Sequence, residues 1–153
     1  LPANAARPFL KWAGGKTQLL PQLRALFPEG LKAGQLTRYV EPFLGSGAVF
    51  FDVMQRYDLA EAVLCDVNED LVLTYQTMQV RADDLVEALQ HLQTRYAALG
   101  TEGQTRFFYE QRDVFNQNRG RVNRDAGKAL ARAAQFIFLN KTCFNGLYRV
   151  NAK

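Results

Sequence analysis

The spacing of apolar positions changes several times along the chain, and each change marks a predicted element. Leu19, Leu20, Leu23, Leu26 and Phe27 recur at helical spacing ahead of Pro28 and Gly30. That predicts a short helix from near Lys16 to Pro28, with Pro21 tolerated only in its first turn. Tyr39-Val40-Glu41-Pro42-Phe43 reads as a short strand that runs into Gly45-Ser46-Gly47, and Ala48 to Tyr57 is a helix candidate. A second apolar run, Ala62-Val63-Leu64-Cys65, ends on the carboxylate of Asp66, and Asn68 is placed to cap a helix through Met78. Strand, glycine turn, helix, strand is the opening of a parallel α/β sheet. The remainder reads as helices. Leu85, Val86, Leu89, Leu92, Tyr96 and Leu99 line one face of a helix that Gly100 closes. Two more are expected over about 104–116 and 126–140, separated by the Asn- and Arg-rich stretch 118–123. Ala129, Leu130, Ala133, Ala134, Ile137, Phe138 and Leu139 predict that most of the last helix's surface is buried. Two strands are too few for a complete parallel sheet, so further strands are expected beyond Lys153.

Composition narrows the classes. The chain has 153 residues, 48% of them hydrophobic, which suits one soluble globular domain able to bury a core without metal or disulfide. Cys65 and Cys143 match no ligand spacing and the lone His91 cannot complete a zinc set, so a reducing compartment is the simpler reading. No apolar run approaches the roughly 20 residues of a membrane span, and the N-terminal residues lack a signal-peptide layout. The sequence begins at Leu1 and stops at Lys153 in a polar stretch, which suggests one piece of a longer protein. The net charge of +4 hides an asymmetry: residues 1–105 hold 9 basic and 12 acidic side chains, net −3, whereas residues 106–153 hold 10 and 3, net +7. The basic last third suggests a polyanionic partner.

Gly45-Ser46-Gly47 after a strand lets the backbone turn tightly and approach a ligand. Asp66, 21 residues beyond Gly45 at the end of the next strand, is placed to accept hydrogen bonds from ribose hydroxyls. Either feature alone is often a plain turn or a surface acid; in this order and spacing they point to a nucleoside-type cofactor. Phe50 stands where the dinucleotide fingerprint needs its third glycine, which argues against a pyrophosphate. Gly14-Gly15-Lys16-Thr17 looks like the end of a P-loop, but Leu10 occupies the place of its first glycine, so a nucleotide triphosphatase is a poor second and a capped helix start the plainer reading. A serine-hydrolase elbow at Ser46 fails because Leu44 and Ala48 replace its glycines. The stretch Asn140-Lys141-Thr142-Cys143-Phe144-Asn145-Gly146-Leu147-Tyr148-Arg149-Val150-Asn151 interleaves amides, aromatics and cations. It is either a polar turn with two aromatics packed inward or a nucleic-acid contact, and the local +7 charge favours the second.

Taken together, Arg7-Pro8-Phe9-Leu10-Lys11-Trp12-Ala13-Gly14-Gly15-Lys16, Val40-Glu41-Pro42-Phe43-Leu44-Gly45-Ser46-Gly47, Asp66 and the 139–151 stretch resemble the Dam-type (D12 class, alpha group) DNA adenine-N6 methyltransferases, in that family's own order of motifs. The resemblance implies an α/β, Rossmann-like S-adenosylmethionine-dependent methyltransferase fold, here incomplete, with an inserted helical target-recognition domain. Residues 1–73 would be the N-terminal part of the cofactor-binding domain and residues 74–153 a truncated recognition domain. Trp12 and Lys16 would belong to the segment closing over the cofactor, Phe43, Gly45 and Gly47 to the turn beside its methionine moiety, and Asp66 would bind its ribose. Phe144 and Asn145 would meet double-stranded DNA where the target adenine leaves the stack, with Arg149 on a base edge, most naturally guanine, and Lys141 on a phosphate. The Asn-Gly-Leu-Tyr-Arg string resembles that of GATC-reading members. The same resemblance implies a cytoplasmic, DNA-bound monomer and, in restriction-modification pairs, a partner endonuclease. One departure stands out: the family's catalytic Asp-Pro-Pro-Tyr is absent, since the chain has no adjacent prolines. The catalytic residues are therefore expected downstream of Lys153, and residues 1–153 alone are expected to be inactive. The alternative is a DNA-binding module that kept the fold and lost catalysis.

Overall fold

The computed structural model describes residues 5–119 and 125–144. They divide into two compact units, Leu1–Val67 and Asn68–Lys153. The domain boundary expected after residue 73 falls inside a helix of the second unit.

In the first unit, strands β1 (Arg38–Glu41) and β2 (Glu61–Leu64) pair in parallel, with Arg38 opposite Glu61 and Glu41 opposite Leu64. Helix α3 (Ala48–Met54) connects them. β1 stops two residues before the end of its apolar run and β2 one residue before Cys65. Pro42 has no N–H to give to a ladder, so regular pairing ends at Glu41. The strand tips nonetheless stay together, because Cys65 N donates to the Glu41 carbonyl and Leu44 N to the Cys65 carbonyl, each at 2.9 Å. The helix predicted from Lys16 to Pro28 is divided into a 3-10 turn over Lys16–Leu19 and helix α1 (Leu20–Ala25), and a further turn, α2 (Glu29–Lys32), follows Pro28. Pro21 lies in the first turn of α1, where a missing N–H is tolerated, and for the same reason it cannot continue a helix begun at Lys16. α3 buries Ala48, Phe51, Asp52 and Val53. Asp52 accepts from the Nε atoms of both Arg24 on α1 and Arg56, each at 3.0 Å. Burial pushes the Asp52 carboxyl up, but the hydrogen bonds from the two guanidiniums outweigh it and leave the group below its ordinary value.

The second unit is helical: α4 (Glu69–Val80), α5 (Ala82–Ala97), α6 (Thr101–Gln117) and α7 (Ala126–Thr142), with α7 packed against the other three. Asn68 caps α4 as its position suggests, accepting from Leu71 N at 3.0 Å, and Glu69 and Asp70 add negative charge to the first turn. Asp125 caps α7 through Gly127 N at 2.9 Å and Lys128 N at 3.1 Å, and those backbone donors hold its carboxyl below the usual range. Gly100 does not close α5. It stands in extended conformation as the N-cap of α6, which consequently starts at Thr101 rather than near Gln104. From Arg132 to Asn140 burial of α7 is nearly continuous, whereas its first turn is exposed. Phe138 meets Tyr96 and Phe107 edge-on at centroid distances of 5.4 and 5.7 Å. Within this core Arg132 pairs with Asp70, donates from Nη1 to the Phe115 carbonyl at 2.6 Å, and lies over the Phe115 ring at 3.9 Å. Among the described residues no helix is long and apolar enough to cross a membrane.

Candidate functional site

The candidate site lies in the first unit, at the end of the sheet where β1 and β2 deliver their last residues. The chain leaves β1 through Pro42 and Phe43 and reverses over Leu44–Gly47. Gly45 and Gly47 have φ of +53° and +73°, in the left-handed region that a side chain resists. At Gly45 a Cβ would come within 3.0 Å of Trp12 Cδ1, so the absence of a side chain also lets the indole lie directly on the turn. The turn is pinned from across the sheet: Gly45 N donates to Asp66 Oδ2 at 2.9 Å. Gly47 is the N-cap of α3.

The third side comes from the segment before the 3-10 turn. Gly14, at φ +72°, and the bond from Gly15 N to the Trp12 carbonyl at 3.1 Å fold Trp12 back toward the glycine turn. Lys16 reaches across and donates from Nζ to the Phe43 carbonyl at 2.6 Å. Between these groups is a cleft of about 160 Å³ lined by Trp12, Gly14, Lys16, Phe43, Gly45 and Asp66, among others. That is below the ~300–1,000 Å³ typical of small-molecule sites.

Five of the six residues read as cofactor-binding thus line one cleft: Trp12, Lys16, Phe43, Gly45 and Asp66. Gly47 does not line it and acts one step back, by starting α3. The donor set suits an S-adenosylmethionine-like group. Asp66 is a half-buried acceptor for hydroxyls, Lys16 a cation for a carboxylate, Trp12 and Phe43 apolar surface for a ring or thioether, and a glycine turn lets backbone approach. The P-loop reading fares worse, because the residues after Gly15 make only a four-residue 3-10 turn where a phosphate cradle needs the N-terminus of a full helix.

Of the residues read as DNA-binding, Lys141 is exposed in the last turn of α7, which runs through Thr142, two residues further than expected. Phe144, just beyond, is 86% exposed. Asn145 and Arg149 lie outside the described residues. Sequence reasoning assigned no role to Glu41 or Ser46, both buried beside the cleft. The available signal for Glu41 was a carboxylate ending an apolar strand, two residues after Tyr39 and so on the same face.

The model of the D12 class N6 adenine-specific DNA methyltransferases matches residues 12–153. The chain is 46% identical over 147 residues to the type II methyltransferase M.MjaIII of Methanocaldococcus jannaschii, covering 96% of this chain and 49% of that protein. It is 38% identical to the DNA N-6-adenine-methyltransferase of Escherichia phage P1 over 151 residues, 97% of this chain and 17% of that one. It is 33% identical to the DNA adenine methylase of Escherichia coli K12 over 150 residues, 96% of this chain and 45% of that one. The chain therefore spans at most about half the length of these relatives. The small parallel sheet with its helices fits a methyltransferase-like α/β fold. With the matched residues running from Trp12 through both units, the chain belongs to the D12 class of N6 adenine-specific DNA methyltransferases.

Proposed function

We propose that this chain is the cofactor-binding and DNA-reading part of an enzyme that methylates adenine N6 in double-stranded DNA, with S-adenosylmethionine as donor and GATC as target. The observation that carries the reading is the cleft that brings Trp12, Lys16, Phe43, Gly45 and Asp66 together. S-adenosylmethionine supplies, when bound, an electrophilic methyl on a sulfonium. The chain's residues bind and orient: the Asp66 carboxylate accepts from ribose hydroxyls while one of its oxygens holds the Gly45 amide, the Lys16 ammonium meets the amino-acid carboxylate, and Trp12 and Phe43 keep water from the apolar middle. Residues 1–73 carry this cofactor work. Residues 74–153 form a helical recognition domain inserted in the methyltransferase fold, in which Asn145 and the exposed Phe144 ring meet the extruded adenine's place in the duplex. Lys141 takes a phosphate and Arg149 a guanine edge.

Calorimetric titration with S-adenosylhomocysteine and with ATP tests the cofactor half. Binding of the first and not the second is expected; tight ATP binding with no response to S-adenosylhomocysteine overturns the reading. For the DNA half, affinity for a GATC duplex should exceed that for a scrambled duplex and fall steeply as salt rises, and a flat salt response would remove the basic last third from the DNA face. No methyl transfer is expected from residues 1–153 alone, because the Asp-Pro-Pro-Tyr motif is not in this sequence. Incorporation of labelled methyl into duplex DNA by this chain would refute that.

A further inference from the structure

Beside the cleft lies an acidic residue that the cofactor reading does not use. Glu41 ends β1 and is 5% exposed. Burying a carboxylate is unfavourable unless donors and a cation surround it, and here they do. Oε2 accepts from the Tyr39 hydroxyl at 2.8 Å and from the backbone N–H of Phe50 at 3.1 Å. Phe50 lies in the first turn of α3, whose N-cap, Gly47, has no side chain to offer. Glu41 therefore supplies the missing cap from the neighbouring strand, and its charge meets the positive end of the helix. Oε1 lies 3.5 Å from Lys16 Nζ, and the same ammonium donates to the Phe43 carbonyl at 2.6 Å.

The cation that lines the cleft is thus gripped from two sides. A lysine is a point charge on a flexible four-carbon stem, and its position is only as definite as its partners make it. With α3 capped by a carboxylate, Lys16 is the group among the described lining residues suited to an anionic part of a ligand. We infer that Glu41 is a positioning residue. Through Oε1 it fixes the Lys16 ammonium beside the Phe43 carbonyl, where that ammonium receives the carboxylate of the cofactor's amino-acid portion, and the nucleoside is left to Asp66. This rests on the S-adenosylmethionine reading of the cleft.

The test uses two ligands that share the adenosine and thioether and differ in the amino-acid portion: S-adenosylhomocysteine and 5′-methylthioadenosine, titrated into the 153-residue chain. Glu41→Gln retains an oxygen for Tyr39 and Phe50 but presents an uncharged amide to Lys16. It should weaken S-adenosylhomocysteine about tenfold, as loss of a charge-assisted contact does, and leave methylthioadenosine within about twofold. In a Lys16→Met background, Glu41→Gln should weaken S-adenosylhomocysteine no further. Equal losses for both ligands, whether from misfolding or from a purely structural role, overturn the inference, as does an unchanged affinity for S-adenosylhomocysteine. A wild-type chain that binds neither ligand overturns the cofactor reading itself, so the two failures are told apart.

Discussion

Each unit buries an aspartate against arginine, and the two pairs are built differently. Asp52 in the first unit is met by Arg24 and Arg56, whose side chains remain 35% and 33% exposed and reach inward from the surface. Asp70 in the second is met by Arg132, itself 5% exposed, which adds a bond to the Phe115 carbonyl and lies over that residue's ring. The contrast follows from element length. Strands of 4 residues and a helix of 7 leave the first unit's interior within reach of surface side chains. Helices of 12 to 17 residues enclose a guanidinium completely. The first unit ties α1 to α3 through guanidiniums that reach in from the surface, and the second ties its helices through one enclosed in the core. Substitutions should therefore separate ligand binding from stability between the two.

The largest effect is expected at Arg132. Arg132→Met strips Asp70 of its guanidinium and the Phe115 carbonyl of its donor, and should destabilise the second unit by about 3–5 kcal/mol in denaturant unfolding followed by far-UV circular dichroism. Adding Asp70→Asn should restore part of the loss, since an amide needs no cation. Arg24→Met should shift the midpoint clearly less, because Arg56 and water remain; a shift as large as that of Arg132→Met would erase the contrast.

Next comes Gly45→Ala. A Cβ in the left-handed region costs roughly 1–2 kcal/mol, and here it also presses on Trp12. Stability should fall by about that amount while S-adenosylhomocysteine affinity falls by more than tenfold, on the order of a lost pair of positioned contacts. Retained affinity would show that the turn is scaffold only.

Acid should act more gently, because solvent screens half-exposed pairs. Asp52 has a folded value held below its ordinary 3.8, so its contribution is whole above that value and is lost as pH falls through the folded one. Unfolding midpoints of the first unit should drop below about pH 4, and Arg24→Met should flatten that drop. The smallest effect belongs to His91, exposed on α5. His91→Gln should change stability by less than about 0.5 kcal/mol.

What could be read beforehand was mostly local. Asn68 as a cap, the amphipathic face through Leu85 and Leu92, and the tight turn at Gly45 each depend on residues within a few positions. Helix limits were less legible where the boundary residue lacks a side-chain signal. Gly100 can end one helix or begin the next, and only its extended backbone decides for α6. Partners distant in sequence were not legible. Nothing at Asp70 announces Arg132, 62 residues on, and nothing at Glu41 announces Lys16, because both pairings depend on how elements pack. The cleft was half legible for the same reason: its glycines and Asp66 follow from spacing, while the brace behind Lys16 needs the fold.

The placement of Trp12 has a practical side. It is the one tryptophan in the chain, and it sits on the turn at Gly45 rather than in either core. Indole emission is therefore a private channel to the cleft, undisturbed by the tyrosines and phenylalanines of the helical unit when only the indole is excited. Helix content reads out through far-UV dichroism. Occupancy of the site and melting of the helices can be followed in one cuvette by two unconnected signals, with no label attached.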